Sequence, residues 1–469
     1  MSWPKGRGKY LHFTLHKENI DITEAVNTLA KLLRTKPNNI TYAGTKDKRA
    51  KTTQRMCVNL RPAELLAKHN MRSLTVGNFS YHDKPLHLGH LSGNRFKVAI
   101  RDVNGDDEDV TKAMDSLSKF GFINYFGLQR FGSSASVPTH MIGKAILSAD
   151  WKLAVELILK PREGERGFKD LKAAREEWWK SKNPAKAVKC LSKHDRSIEG
   201  KVLQTLKSQG SNAYCNAIFT IPRNTLMLYV HAYQSLIWNK IVSRRIKEFG
   251  LKPIAGDLVI DDSGTNGEDD KVDSSEDEET NGDEEEIDAV VQEKSDSKAS
   301  DYKRPIVKLL TKEDLETTPI DRIVYPMPGH DVVYPDNAIA SWYTEALSED
   351  NLTPENFKST HKVFSVFGTY RNLLGRVENL EWRTVGYQNF NDDLILSDLD
   401  KLKNKELPEM PEGQFKAIIM EFSLKPSTYA TMVLREVMKC ETSGSHHAAL
   451  TIANHSENSE NKKCKLSDS

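Results

Sequence analysis

The chain has 469 residues, 38% of them hydrophobic, enough for two or three domains with real cores and too apolar for wholesale disorder. No run approaches the ~18–20 apolar residues of a membrane span, and the opening MSWPKGRGKY lacks the apolar stretch of a secretory signal. The net charge of +1 hides a split: residues 261–288 hold fifteen acids and one lysine, a run of −14, so the other residues carry +15 and suit a polyanion such as RNA.

Residues 21–35 read as a helix, with Asp21 placed to cap it, Glu24 three residues on, and Ile22, Val26, Leu29, Leu32 and Leu33 as its apolar stripe. NNITYAG follows with strand character and ends at Gly44, where a sharp turn is expected. The charged turn TKDKRAKT leads into a second strand-like run, TQRMCVNL, and Pro62 opens a short helix. Residues 74–81 and 95–101 alternate like half-buried strands, and 109–120 read as a helix. From about 140 to 250 the pattern is largely helical. Residues 261–301 are acidic, Ser-rich and nearly free of aromatics, so disorder is expected there, with Ser274 and Ser275 before EDEE open to an acid-directed kinase. RIVYPMPGHDVVYP, with three prolines and a glycine, reads as an ordered loop between domains. Residues 361–367 and 414–424 read as strands, 428–439 as a helix, and the polar remainder as a mobile tail.

Two clusters carry chemistry. In Gly44-Thr45-Lys46-Asp47-Lys48-Arg49, with Lys51 and Arg55 behind, one carboxylate sits among five basic side chains. Neighbouring positive charge favours the ionised form of Asp47, and an ionised, positioned carboxylate can act as nucleophile or general base. Taken alone, the cluster reads better as a surface turn of ion pairs worth roughly 0–1 kcal/mol each. The second cluster, Asn124-Tyr125-Phe126-Gly127-Leu128-Gln129-Arg130-Phe131-Gly132, offers aromatic faces for a splayed-out base and amides for its edge. A buried loop with Phe side chains in the core is the plainer reading of that run by itself. Other chemistries are poorly served. There is no phosphate-cradling GxxxxGK[ST], GxSxG and HExxH are absent, His446 and His447 lie in the tail, and the five cysteines form no CxxC. Trp178 and Trp179 read as helix packing, and the scattered cysteines as a reducing compartment without a zinc knuckle.

Together these runs resemble the TruD family of pseudouridine synthases. YAGTKDKRAKTTQ is similar to that family's A-G-x-K-D-x-x-A-x-T motif, and NYFGLQRFG to its second motif. LGHLSGNRFKVAIR resembles L-G-x-L-x-G-N-x-F, HAYQSLIWNKIV the helix after the second motif, and FSLKPSTYATMVLREV the C-terminal signature. The likeness runs from about residue 5 to residue 440, with five motifs in order. It departs at the start, where family members carry an extended D-F-x-V-x-E segment before GxGxYLxFxLxKxN. The chain matches the end of that later stretch at Lys17 and Asn19. The expectation is therefore a truncated form lacking a basic partner for the aspartate, with Lys46 or Lys48 as substitutes.

The resemblance implies an α+β fold. A catalytic domain with a mixed, largely antiparallel sheet is drawn from residues 1–123 and 336–440, a mostly helical insertion domain from 124–335, and a disordered tail from 441–469. It implies isomerisation of uridine to pseudouridine in tRNA, including uridine 13, and in mRNA. Asp47 would be the catalytic residue, attacking C1′ or assisting a glycal-type intermediate. Asn124 would position Asp47 or the sugar, Phe126 would stack on the base, and Tyr429 would close the apolar side. Lys48, Arg49 and Arg130 would contact phosphates or support the loop. No cofactor, metal or membrane is expected, and the protein is expected to be a monomer. A nuclear location, with the cytoplasm as a second one, is expected from the acidic insert, with SRRIK at 243–247 as a weak import signal. The alternative function is an RNA-binding relative with lost or reduced catalysis; an unrelated metabolic α/β enzyme fits the charge and motif order less well.

Overall fold

The computed structural model describes residues 3–440 and 442, except 70, 72, 133–136, 163–168, 194, 196, 262–304, 359–364 and 408–412. The expected disordered insert beyond Asp261, its two serines and nearly all of the expected tail lie outside the described residues.

The N-terminal lobe is built from β1 (Tyr10–Glu18), α1 (Ile22–Leu32), β2 (Ile40–Tyr42), β3 (Lys51–Asn59), the short α2 (Glu64–Ala67) and β4 (Leu74–His82). Its antiparallel sheet runs β2–β3–β1–β4. Side chains alternate along β1, so Leu11, Phe13 and Leu15 all face the same way, against Ile22, Ala25, Val26 and Leu29 of α1. Asp21 caps α1 as expected, accepting from the Thr23 amide at 2.7 Å. This lobe has a hydrophobic core of its own, running from Leu11 to Leu74.

Most of the rest of the chain shares one larger core, from Val110 to Val433, flanked by two small clusters around Tyr387 and around Leu258. It opens with β5 (Asn94–Ile100), α3 (Asp107–Phe120) and β6 (Phe122–Ile123). A helical body follows: α4 (Thr139–Leu147), α5 (Trp151–Ile158), α6 (Lys169–Ser181), α7 (Pro184–Val188), α8 (Ile198–Gln209), α9 (Tyr214–Phe219) and α10 (Arg223–Phe249). The 27-residue α10 is its axis and buries Trp238, Tyr233 and Arg245 completely. Then come β7 (Leu258–Ile260), β8 (Val307–Leu309), β9 (Ile323–Met327), α11 (Ala338–Ser348), β10 (Thr369–Asn372), β11 (Leu374–Gly375), β12 (Glu378–Tyr387), α12 (Asp398–Leu402), β13 (Phe415–Leu424) and α13 (Ala430–Met438). The sheets run β10–β9–β7–β8, β11–β6 and β12–β13–β5. Every described pairing is antiparallel, so the expected mixed sheet has no parallel component among the described residues.

Packing partitions the chain differently from the expected domain limits. Sheet β12–β13–β5 pairs a strand of the first quarter of the chain with two strands of its last quarter. The sheet holding β9 and β10, however, straddles residue 335, and one core spans both sides of residue 123. The run RIVYPMPGHDVVYP is not all loop: Ile323–Met327 is a fully buried strand. Pro326 is tolerated there because β7 pairs only with Ile323 and Val324, so the ladder on that side ends before the missing N–H is needed. SRRIK lies inside α10, where Arg245 is fully buried against Asp257 at 3.2 Å while Arg244 and Lys247 are exposed.

Candidate active site

Asp47 sits in the loop between β2 and β3 and is exposed, as are Lys48 and Arg49. Beneath the loop lies Lys17, fully buried on β1, whose Nζ donates to the main-chain carbonyl of Asp47 at 2.6 Å. Lys17 occupies the position after Leu11, Phe13 and Leu15 on the buried face of β1, so alternation alone drives it inward. Burial pushes its ammonium below the ordinary lysine range, while Asp21 and Asp47 pull it back up. Lys46 turns to its neighbour's carbonyl, Thr45 O at 3.3 Å, and the buried cation under this loop is Lys17.

The chain bends at Ala43 and Gly44 just after β2, as expected, and does so without a positive φ at Gly44. A Cβ there would meet Leu91 at 3.3 Å, so glycine serves the close approach of the 88–91 segment, whose Gly89 amide donates to Ala43 O. Gln54, nearly buried on β3, donates to Gly44 O at 3.2 Å. The loop is thus held from three sides by Lys17, Gln54 and the 88–91 segment.

The second cluster follows β6. Asn124, Phe126 and Tyr429 are buried together. Asn239 of α10 clamps the Phe126 backbone, accepting its N–H at 3.0 Å and donating to its carbonyl at 3.1 Å. The Phe126 ring meets Trp238 and Tyr429 edge-on, with centroids 5.8 and 6.2 Å away, and lies 3.9 Å from the Arg371 guanidinium carbon. It is 3% exposed, so it forms part of a packed wall instead of the open stacking platform expected. Both ends of the Asn124 amide are engaged, Oδ1 by Arg371 at 2.9 Å and Nδ2 by Asn372 O at 3.2 Å. Arg130 is 3% exposed with Nε on Ser235 Oγ at 3.2 Å, so of its two expected roles the burial fits loop support. Gly127 leaves room for Tyr429; a Cβ there would stand 3.1 Å from its ring.

A short helical turn, Leu128–Phe131, joins the two clusters. Its Gln129 reaches back to the β2–β3 loop, Nε2 donating to Asp47 Oδ1 at 3.4 Å. Asp47 is thus linked, through Gln129, to the segment that carries Phe126. Thr431 Oγ1, packed near Gly127, is buried with no hydrogen-bond partner among the described residues. Lys17, Gln129 and Arg371 are the residues whose roles the sequence did not reveal. For Lys17 the available signal was a lysine ending a period-two apolar stripe. For Arg371 it was an arginine inside the otherwise uncharged run VFGTYRNLLG.

The sequence matches the family described as tRNA pseudouridine synthase D (TruD) over residues 2–437. It is 42% identical to the mouse pseudouridylate synthase 7 homolog over 446 residues, covering 94% of this chain and 61% of that protein. It is 37% identical to multisubstrate pseudouridine synthase 7 of Schizosaccharomyces pombe, covering 97% of this chain and 65% of that one. A crystal structure assigned to tRNA pseudouridine synthase D of Methanosarcina mazei superposes with a TM-score of 0.64 at 26% identity, covering 94% of this chain and 90% of the other. The chain spans about three fifths of the length of the mouse relative.

Proposed function

The chain belongs to the TruD family of pseudouridine synthases, and from that membership we propose that it isomerises uridine within RNA, with Asp47 as the catalytic residue. The C1′–N1 bond breaks, the uracil turns in place, and C5 bonds to C1′ while the C5 hydrogen leaves as a proton and N1 takes one up. Nothing is oxidised or reduced and no group is gained, so side chains suffice. The observation that carries this reading is the setting of Asp47: an exposed carboxylate, held at its backbone by buried Lys17 and at Oδ1 by Gln129 of the second motif. Asp47 attacks C1′ or assists loss of the C2′ proton toward a glycal. Phe126 and Tyr429 wall the uracil, Asn124 fixes the start of that wall, and exposed Lys48 and Arg49 meet the phosphates. Arg130 supports the loop from within.

The substrates proposed are tRNA, with uridine 13 among the sites, and mRNA sites of similar local sequence. The target uridine must leave its stack at a cost of a few kcal/mol, which favours unpaired or weakly stacked positions. The +15 carried outside the acidic run supports binding along the backbone, so affinity should fall steeply with added salt. Tritium release from RNA labelled at C5 of uridine tests the proposal. Wild type should release label, and Asp47→Asn should bind RNA equally and release none. Binding without release by wild type would leave the RNA-binding alternative standing. No binding at all would overturn the substrate class.

A further inference from the structure

We propose that Arg371 is the positioning residue that sets the shape of the uridine-binding wall, an inference that rests on the isomerase reading above. Arg371 lies on β10 and is 5% exposed. Its guanidinium forks onto one residue: Nε donates to the Asn124 main-chain carbonyl at 2.9 Å and Nη2 to Asn124 Oδ1 at 2.9 Å. The same group lies 3.9 Å from the centroid of Phe126, and within 5.5 Å and 5.7 Å of the rings of Trp238 and Tyr429. One planar cation thereby touches an amide and three aromatic side chains, two of them from the proposed wall.

Its neighbour completes the grip. Asn372 O accepts from Asn124 Nδ2, and the Asn124 amide donates to Leu373 O at 3.0 Å. Three consecutive residues, 371 to 373, thus fix every polar atom of Asn124. With Asn124 fully engaged, its part in the reaction is to hold Phe126, two residues on, at a set height and tilt. Arg371 acts on the reaction through that pair and needs no contact with the substrate.

Arginine suits the task and lysine does not. A rigid fork with parallel donors can hold a carbonyl and an amide oxygen together and still lie flat on a ring, whereas an ammonium is a single point on a flexible stem. Arg371→Lys keeps the charge and loses the fork. A wall displaced by about 1 Å can cost on the order of a hundredfold in turnover. The expected result for Arg371→Lys is a kcat lower by about tenfold to a hundredfold, with KM and RNA affinity near those of wild type.

The test compares kcat, KM and RNA binding for wild type, Arg371→Lys, Asn124→Ala and the double variant, using tritium release from C5-labelled RNA. If Arg371 acts through Asn124, the double variant loses no more turnover than Asn124→Ala alone. Multiplicative losses, a wild-type kcat in Arg371→Lys, or a purely KM effect would each overturn the proposal. Should Arg371→Lys fail to fold, Asn124→Ala with unchanged kcat overturns it as well. Wild type and Asp47→Asn run alongside keep the two readings apart: a wild type that releases no label defeats the isomerase reading, whereas an active wild type matched by both Arg371→Lys and Asn124→Ala defeats only this one.

Discussion

An ammonium without water costs several kcal/mol unless its partners offset the loss. Lys17 is fully buried, and its described hydrogen bond goes to a neutral carbonyl, Asp47 O, with Asp21 as the first charge that favours its protonated form. A lysine kept at that cost is more readily explained by the loop it holds than by stability. Lys17→Met, of similar length and apolar, should therefore lower turnover by about a hundredfold while the melting temperature stays level or rises. Tritium release and a thermal melt on one preparation check both halves, and a variant that melts lower with normal turnover would count against this account. At this scale the sequence revealed Asp47 through its motif, and the cluster of Asn124, Phe126 and Tyr429 through two more. It hid the partners. Lys17 is thirty positions from Asp47, and Arg371 is 247 from Asn124. No local pattern reports contacts made only when β1 passes beneath a loop or β10 lies beside the second motif.

Among the elements, the crossing of α4 over α10 fixes the helical body behind the wall. It is made possible by Gly143: a Cβ there would stand 1.9 Å from Tyr229 O, a main-chain atom with no freedom to yield. Gly143→Ala should force the helices apart and destabilise the fold by about 1–3 kcal/mol or more. Circular dichroism melts check this, and a melt matching wild type would mean that the helices separate without penalty. Elements with regular periodicity were legible, α1, α3 and α13 among them, because each has one buried face, and β13 was legible as an apolar run buried on both faces. The strand expected at 361–367 forms at Thr369–Asn372 instead, and residues 359–364 lie outside the described residues. Gly368 takes φ of +87° and breaks the extended run ahead of it, while Val366 O and Phe367 O pair with the amides of His330 and Asp331 across the loop. The apolar character was read correctly there; the backbone irregularity was not encoded in it.

For the molecule as a whole, the N-terminal lobe and the larger body keep separate cores and meet through partly exposed contacts, among them Lys51–Asp400 at 3.3 Å and Gln129–Asp47. The Lys51–Asp400 ion pair is worth about 0–1 kcal/mol, so added salt loosens it first. Three histidines, His12 and His16 in the lobe and His140 in the body, are held below the ordinary value of 6.5, each by burial before any other cause. The unfolded chain then takes up these protons first. Stability should be full above about pH 6.5 and fall as the pH drops from there through the lowered folded values. Urea midpoints measured between pH 7.5 and 5 check the sign, and a midpoint that rises on acidification would refute it. Charge and motif order were readable from the sequence at this scale, while the division into two cores was not, because it depends on which strands pair.

One junction has a wider meaning. β7 and β8 pair in antiparallel register, Ile260 opposite Val307, and the Asp261 amide closes the ladder on Ile306 O at 2.7 Å. The acidic segment therefore departs and returns at a single doorway. Closing a longer loop at a fixed doorway costs only about 0.6 kcal/mol per doubling of its length. Residues added between Asp261 and Ile306 should therefore leave the β7–β8 register, and β10 in the same sheet, in place.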